Sequence, residues 1–180
     1  EPFENQVKEL SSILEDYKRF GVSDDDKSNS RTSHHHDIFY KKEKFTLEKE
    51  GSFWLSPKSP SSPPENLFKA AWGGKAKVCT WGKFIDKSTN KMLYVFNTHF
   101  YYANKITRNK SAEIVLKKAQ EIAKDAPVIF MGDLNIDDLS EAYSILNNSN
   151  YLKDSYNLAK QKLPLNKVAH HQTFNEWQIT

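Results

Sequence analysis

One short stretch constrains this chain more than any other. Pro127-Val128-Ile129-Phe130-Met131 is continuously apolar and stops at Gly132-Asp133. By its length it is a strand, of the fully apolar kind that is buried on both faces of a sheet. An alternating segment, Ala76 to Ile85, precedes it in the chain and sets Val78, Thr80, Gly82 and Phe84 against Lys77, Cys79, Trp81 and Lys83. Lys87-Ser88-Thr89-Asn90 then makes a turn into a second apolar strand, Met92 to Asn97, which predicts a hairpin. From Thr107 to Lys124, residues Ala112, Val115, Leu116, Ala119, Ile122 and Ala123 recur on one face of an amphipathic helix. Strands and helices in this order predict an α/β or α+β sandwich.

The remaining segments are read in the same way. Phe3 to Phe20 has helical apolar spacing and ends at Gly21, and residues 21–33 are polar and serine-rich, as an exposed loop is. Short strands are predicted at Ile38–Tyr40, Phe45–Leu47 and Ser52–Leu55, with Gly51 at a turn. Ser56 to Pro64 is proline-rich loop, Ser140–Leu146 a short helix, and the last thirty residues show no clear element. We read residues 1–180 as one partial domain, since no linker or internal repeat divides them.

Composition narrows the class. Hydrophobic residues at 38% and aromatics at 13% exclude a low-complexity disordered chain. A formal charge of +3, with basic residues scattered, does not mark a nucleic-acid binder. Cys79 is the sole cysteine, so no internal disulfide forms. No apolar run approaches a membrane span, and a monomer is expected. The chain opens on Glu1-Pro2 rather than on methionine, and our expectation is that it is cut off at both ends.

Two polar clusters terminate apolar strands. Gly132-Asp133-Leu134-Asn135 follows Val128–Met131, and Asn97-Thr98-His99-Phe100 follows Met92–Phe96. Strand ends of such sheets present side chains from a rigid scaffold, and ligands bind there. A carboxylate two residues from a carboxamide offers a base beside an oxyanion or metal contact, and the same pair also makes an ordinary turn cap. A histidine in that place can bind a phosphate oxygen or exchange a proton near neutrality, or can simply be a buried, backbone-bonded histidine.

Taken together, Asn97-Thr98-His99, Arg108 followed by Ser111-Ala112, and the run Pro127 to Asn135 resemble the endonuclease/exonuclease/phosphatase family, whose fold is deoxyribonuclease I-like. Ile38-Phe39-Tyr40-Lys41-Lys42, Gly51 to Ser56 and Cys79-Thr80-Trp81 resemble a mainly bacterial branch of it. The resemblance implies a four-layer α/β sandwich, two packed mixed sheets flanked by helices. It also implies a phosphodiesterase, nuclease or phosphatase that uses Mg²⁺ or Mn²⁺ and acts on nucleic acid or a small phosphorylated molecule. By resemblance Glu1 holds the metal, Asp133 activates the attacking water, and Asn135 and His99 contact the phosphate. Arg108 helps to hold the substrate. The expected alternative is an inactive homologue that binds a phosphorylated ligand or a protein.

The sequence also departs from the family pattern. The family's first strand would precede Glu1, and its closing Ser-Asp-His motif would follow Thr180, so this piece alone is expected to be inactive. Ser33-His34 stands where the branch has Gly-Glu, and Phe100-Tyr101-Tyr102 where it has Leu-Asp-His. Thr173-Phe174 matches a pair just before the closing region. His34-His35-His36 has no partner at a standard zinc spacing and is read as solvated loop, and His170-His171 could complete a site only by folding nearby. Trp54, Trp72 and Trp81 are assigned to core or rim packing.

Overall fold

A computed structural model of the chain describes residues 2–24, 34–57, 61, 64, 66 and 71–160. Helix α1 (Glu4–Ile13) leads into strand β1 (Tyr17–Phe20), which pairs antiparallel with β2 (Ile38–Lys41). Strands β3 (Phe45–Trp54), β4 (Val78–Asp86), β5 (Met92–His99) and β6 (Val128–Asp133) form a second sheet in the order β3-β4-β5-β6. Its first three strands are antiparallel, and β6 runs parallel to β5, joined to it through helix α2 (Lys105–Ala123). Helices α3 (Glu141–Asn147) and α4 (Ser155–Leu158) follow.

The four-stranded sheet is covered on both faces. On one side Cys79, Trp81 and Phe96 meet Ala112, Val115 and Ala119 of α2 and Leu146 of α3 in the main core. On the other, the Phe20 and Tyr40 rings of the small sheet lie 6.0 and 5.1 Å from that of Phe84. Strand β4 is therefore buried from Val78 through Gly82, because its two faces meet two different layers. The expected fold class holds: an α/β arrangement of two sheets flanked by helices. The larger sheet is mixed and the smaller antiparallel.

Several predicted elements changed on folding. The first helix ends at Ile13 and not at Phe20, because Tyr17–Phe20 pairs with Ile38–Lys41 and long-range ladder bonds replace one further helical turn. Phe45–Leu47 and Ser52–Leu55 are one strand, not two. Gly51 lies inside it opposite Trp81, and a Cβ there would stand 2.8 Å from the indole. The hairpin and the two later helices stand close to their predicted places. Asn104 caps α2 by accepting from the Thr107 N–H, and Ser140 caps α3 through Tyr143. Strand β6 is not buried on both faces: Ile129 is 51% exposed, since β6 lies at the edge of the described sheet and only Val128 and Phe130 turn toward the core.

The tryptophan assignments hold for Trp54 and Trp81, which are buried, and Trp72 packs half-buried against the cluster of Trp54, Ala71 and Val78. No described helix is long and apolar enough to cross a membrane.

Candidate active site

The site forms where β5 and β6 end side by side. Their parallel register sets Thr98 opposite Gly132 and His99 opposite Asp133, so both polar clusters reach one rim. Gly132 makes this approach possible. Its φ of +138° is one that side chains disfavour, and a Cβ would fall 1.8 Å from the Thr98 carbonyl oxygen. Alternation along β5 turns Thr98 inward, where its hydroxyl donates to the Val78 carbonyl at 2.8 Å, and leaves Asn97 and His99 on the opposite face.

Three of the predicted residues converge there. Asn135 Nδ2 stands 2.7 Å from His99 Nε2 and donates to the Phe100 carbonyl at 2.9 Å. An amide nitrogen donates, so in this pair His99 Nε2 is the acceptor. His99 Nε2 lies 3.8 Å from Asp133 Oδ2, and the other Asp133 oxygen accepts the Asn135 N–H at 3.0 Å. The Asp133 side chain is 64% exposed and so reaches solvent at the rim. The turn-cap bond expected of an Asp in this place is thus present, and it occupies only one of the two carboxylate oxygens.

The other two predicted residues stand differently. Arg108, in the first turn of α2, directs a guanidinium nitrogen at the Tyr102 carbonyl. Glu1 lies outside the described residues, as do His170-His171 and Thr173-Phe174. Pro2, the first described residue, lines a cleft of about 260 Å³ together with His35, His36, Asp37, His99 and Asp133.

Sequence reasoning missed the His35–Asp37 side of this cleft. The histidines were expected in a solvated loop, yet His35 and His36 are buried. The hydrogen bonds of His35 N–H to the Pro2 carbonyl and of His36 N–H to the Val22 carbonyl draw the segment inward. A signal was there to read: His35, Asp37 and Phe39 are spaced by two as the chain enters β2, which places them on one face. His34 keeps its imidazole toward the buried Asp24, at 3.7 Å. Burial pushes the Asp24 carboxyl up, but its bonds with Lys75, Lys77 and the His34 N–H outweigh this and hold it below the usual carboxylate range. Among the described residues, no three His, Cys, Asp or Glu side chains are grouped as a metal site.

The fold and the rim define a class: a layered α/β protein with Asp, Asn and His gathered where two parallel strands end. Similarity to solved structures places it further. A Bacteroides vulgatus endonuclease/exonuclease/phosphatase superposes with a TM-score of 0.78 at 30% identity, over 88% of this chain and 59% of that one. A Bacteroides thetaiotaomicron protein of the same family gives 0.70 at 32%, over 79% of this chain and 50% of that one. A mannosyl-6-phosphatase from Bacteroides thetaiotaomicron gives 0.71 at 32%, over 79% and 52%. The chain is similar in fold and sequence to these endonuclease/exonuclease/phosphatase proteins over most of its own length, and it spans between half and three fifths of the length of these relatives. No protein-family model matches the chain, and no curated protein does.

Proposed function

We propose that this protein is a divalent-metal-dependent phosphoester hydrolase in which Asp133 activates water. The convergence of Asp133, His99 and Asn135 at one solvent-open rim carries the reading. It is supported by the relatives, one of which is named a phosphatase.

Asp133 has one oxygen committed to the Asn135 N–H, which fixes the carboxylate's orientation, and the other oxygen is placed to take a proton from water. His99 is held by Asn135 beside Asp133, and this reading gives it the contact with a phosphate oxygen. Asn135 is anchored twice, to His99 and to the Phe100 carbonyl, and this holds its amide at the rim.

The ion in this reading is Mg²⁺ or Mn²⁺, for which oxygen ligands are appropriate. Such ions are held by one or two carboxylates and several waters, with substrate phosphate completing the shell. By family resemblance Glu1 would hold the ion, while Asp133 keeps the role of base. Once bound, the ion would polarise the phosphoryl group and lower the pKa of water.

The test is hydrolysis of bis-p-nitrophenyl phosphate, a sugar phosphate and nucleic acid by the full-length protein. Turnover that needs Mg²⁺ or Mn²⁺ and disappears with chelator is expected. Full turnover in excess chelator overturns the metal reading. A second reading, an inactive phosphoester-binding homologue, draws on His34 and Tyr101 standing where the family has carboxylates. Binding of a non-hydrolysable phosphate ester with no turnover in any metal would favour it.

A further inference from the structure

Tyr101 and Tyr102 directly follow the rim segment His99-Phe100, and the chemistry proposed above uses neither. Their backbone is pinned to the rim. Phe100 is fully buried, its N–H donates to the Asp133 carbonyl at 2.9 Å, and its own carbonyl accepts Asn135 Nδ2 at 2.9 Å. Further on, the Tyr102 carbonyl accepts from the Arg108 guanidinium, and Asn104 caps α2. The half-buried Tyr101 ring sits so close to Gly74 that a Cβ there would stand 2.7 Å from its Cδ1. Tyr102 packs on Tyr101 with ring centres 5.5 Å apart, and it is itself 70% exposed.

A second loop leaves the same rim from the end of β6. Leu134 and Ile136, on either side of Asn135, pack against the core. Asp137 closes a turn by accepting the Leu139 N–H at 3.1 Å, and Leu139 stands 92% exposed at its tip. Glu141 accepts Asn109 Nδ2 at 2.6 Å and lies 3.9 Å from Lys105 Nζ, so the openings of α2 and α3 tie the far ends of both loops together. Ile106, beside Lys105, is exposed as well.

Single exposed apolar side chains are ordinary on a protein surface. Here they sit on the two loops that lead out of one site. Both loops are fixed by backbone and cap bonds, so their side chains are presented at little ordering cost to a ligand. Two residues of chain put Tyr102 within about 7 Å of the Phe100 backbone, close enough to meet the organic part of an ester whose phosphate is at the rim.

We infer that Tyr102 and Leu139 are specificity-determining residues, forming an apolar subsite beside the rim for an aromatic ring in the esterified alcohol. Tyr102, backed by Tyr101, stacks on the face of that ring, and Leu139 covers its edge. The subsite rests on the phosphoester reading of the rim. It selects a phosphate ester of a ring-bearing alcohol over that of an open-chain one.

The experiment is calorimetric binding of two non-hydrolysable phosphonates to the full-length protein in Mg²⁺, one with a nitrobenzyl ring and one with a propyl chain. Wild type, Tyr102→Ala, Tyr102→Phe and Leu139→Ala are compared. Both side chains are exposed, so none of these substitutions removes core packing. We expect wild type to bind the ring ligand about tenfold or more tighter than the propyl ligand, the usual scale of one aromatic stack. Tyr102→Ala is expected to lose most of this preference, Leu139→Ala part of it, and Tyr102→Phe to keep it. Affinity for the propyl ligand is expected to stay within about twofold in all four proteins. Equal wild-type affinities for the two ligands, or no binding of either, overturn the inference. So does a preference that Tyr102→Ala leaves intact, or a loss in Tyr102→Ala that both ligands share equally. Ring preference in a protein that hydrolyses no ester removes the hydrolase reading and keeps the subsite, whereas hydrolysis without ring preference removes only the subsite.

Discussion

Asn135 and His99 lie 36 residues apart in the chain, yet the Asn135 amide nitrogen stands 2.7 Å from His99 Nε2. Their meeting follows from one topological fact, the parallel pairing of β5 and β6, which brings two strand ends to the same height. The Asp133 and Phe100 backbones lock this height, with the Phe100 N–H donating to the Asp133 carbonyl at 2.9 Å. The rim is rigid because backbone bonds, not side-chain contacts alone, set its register.

Asp133→Asn is expected to lower turnover by about 10²–10⁴-fold, the usual contribution of a positioned base. The melting temperature is expected to stay within about 2 °C, because asparagine retains an oxygen to accept the Asn135 N–H. Assays on bis-p-nitrophenyl phosphate alongside thermal melts measure both. A drop of less than tenfold at unchanged melting temperature would leave Asp133 as a turn cap only.

Gly132→Ala tests the close passage of β6 against β5. The new Cβ would lie 1.8 Å from the Thr98 carbonyl oxygen at a disfavoured φ, and the contact is backbone, so no side chain can swing away. We expect a loss of about 2–4 kcal/mol in urea unfolding, together with loss of any metal-dependent activity. Unchanged stability would mean that the two strand ends are not held at this spacing.

Asp24 anchors the loop after β1 to the entry of β4. It is fully buried, and one of its oxygens lies 2.7 Å from Lys75 Nζ and 3.3 Å from Lys77 Nζ. Because its folded pKa is held below 3.8, its contribution is complete above that value and is lost as pH falls through the lower folded value. Wild-type stability is therefore expected to decline below about pH 4, and Asp24→Asn to flatten that decline. At neutral pH the same substitution is expected to cost about 3 kcal/mol, as for a broken buried ion pair. Parallel pH profiles of the two proteins would test the sign.

Cys79 is fully buried in the main core, and burial pushes its thiol pKa up. The thiolate is the reactive form, so a disulfide reagent at pH 8 is expected to leave Cys79 unmodified in the folded protein and to label it completely in denaturant. Fast labelling of the native state would show that the layer between β4 and α2 opens readily.

The hairpin of β4 and β5, the amphipathic α2 and the short β6 were legible in the chain: β4 by its alternation, α2 by its 3.6-residue recurrence, and β5 and β6 as short apolar runs that end in polar residues. The rim residues Asp133, Asn135 and His99 were legible for a related reason: polar side chains that directly follow an apolar strand emerge at its end. Tertiary structure decided the rest. Whether Tyr17–Phe20 prolongs a helix or becomes a strand depends on Ile38–Lys41 being there to pair with it, a partner that no local pattern reveals. For His35 and Asp37 the spacing of two was legible but their burial was not, since it arises only when Pro2, Glu4 and Asn97 close around them. The exposure of Ile129 and Met131 also lay outside local reach, since an apolar run reads alike in the middle of a sheet and at its edge. Local pattern reports what one segment can do with its own neighbours in sequence, while strand pairing and burial are energies shared between segments that only the folded chain brings together.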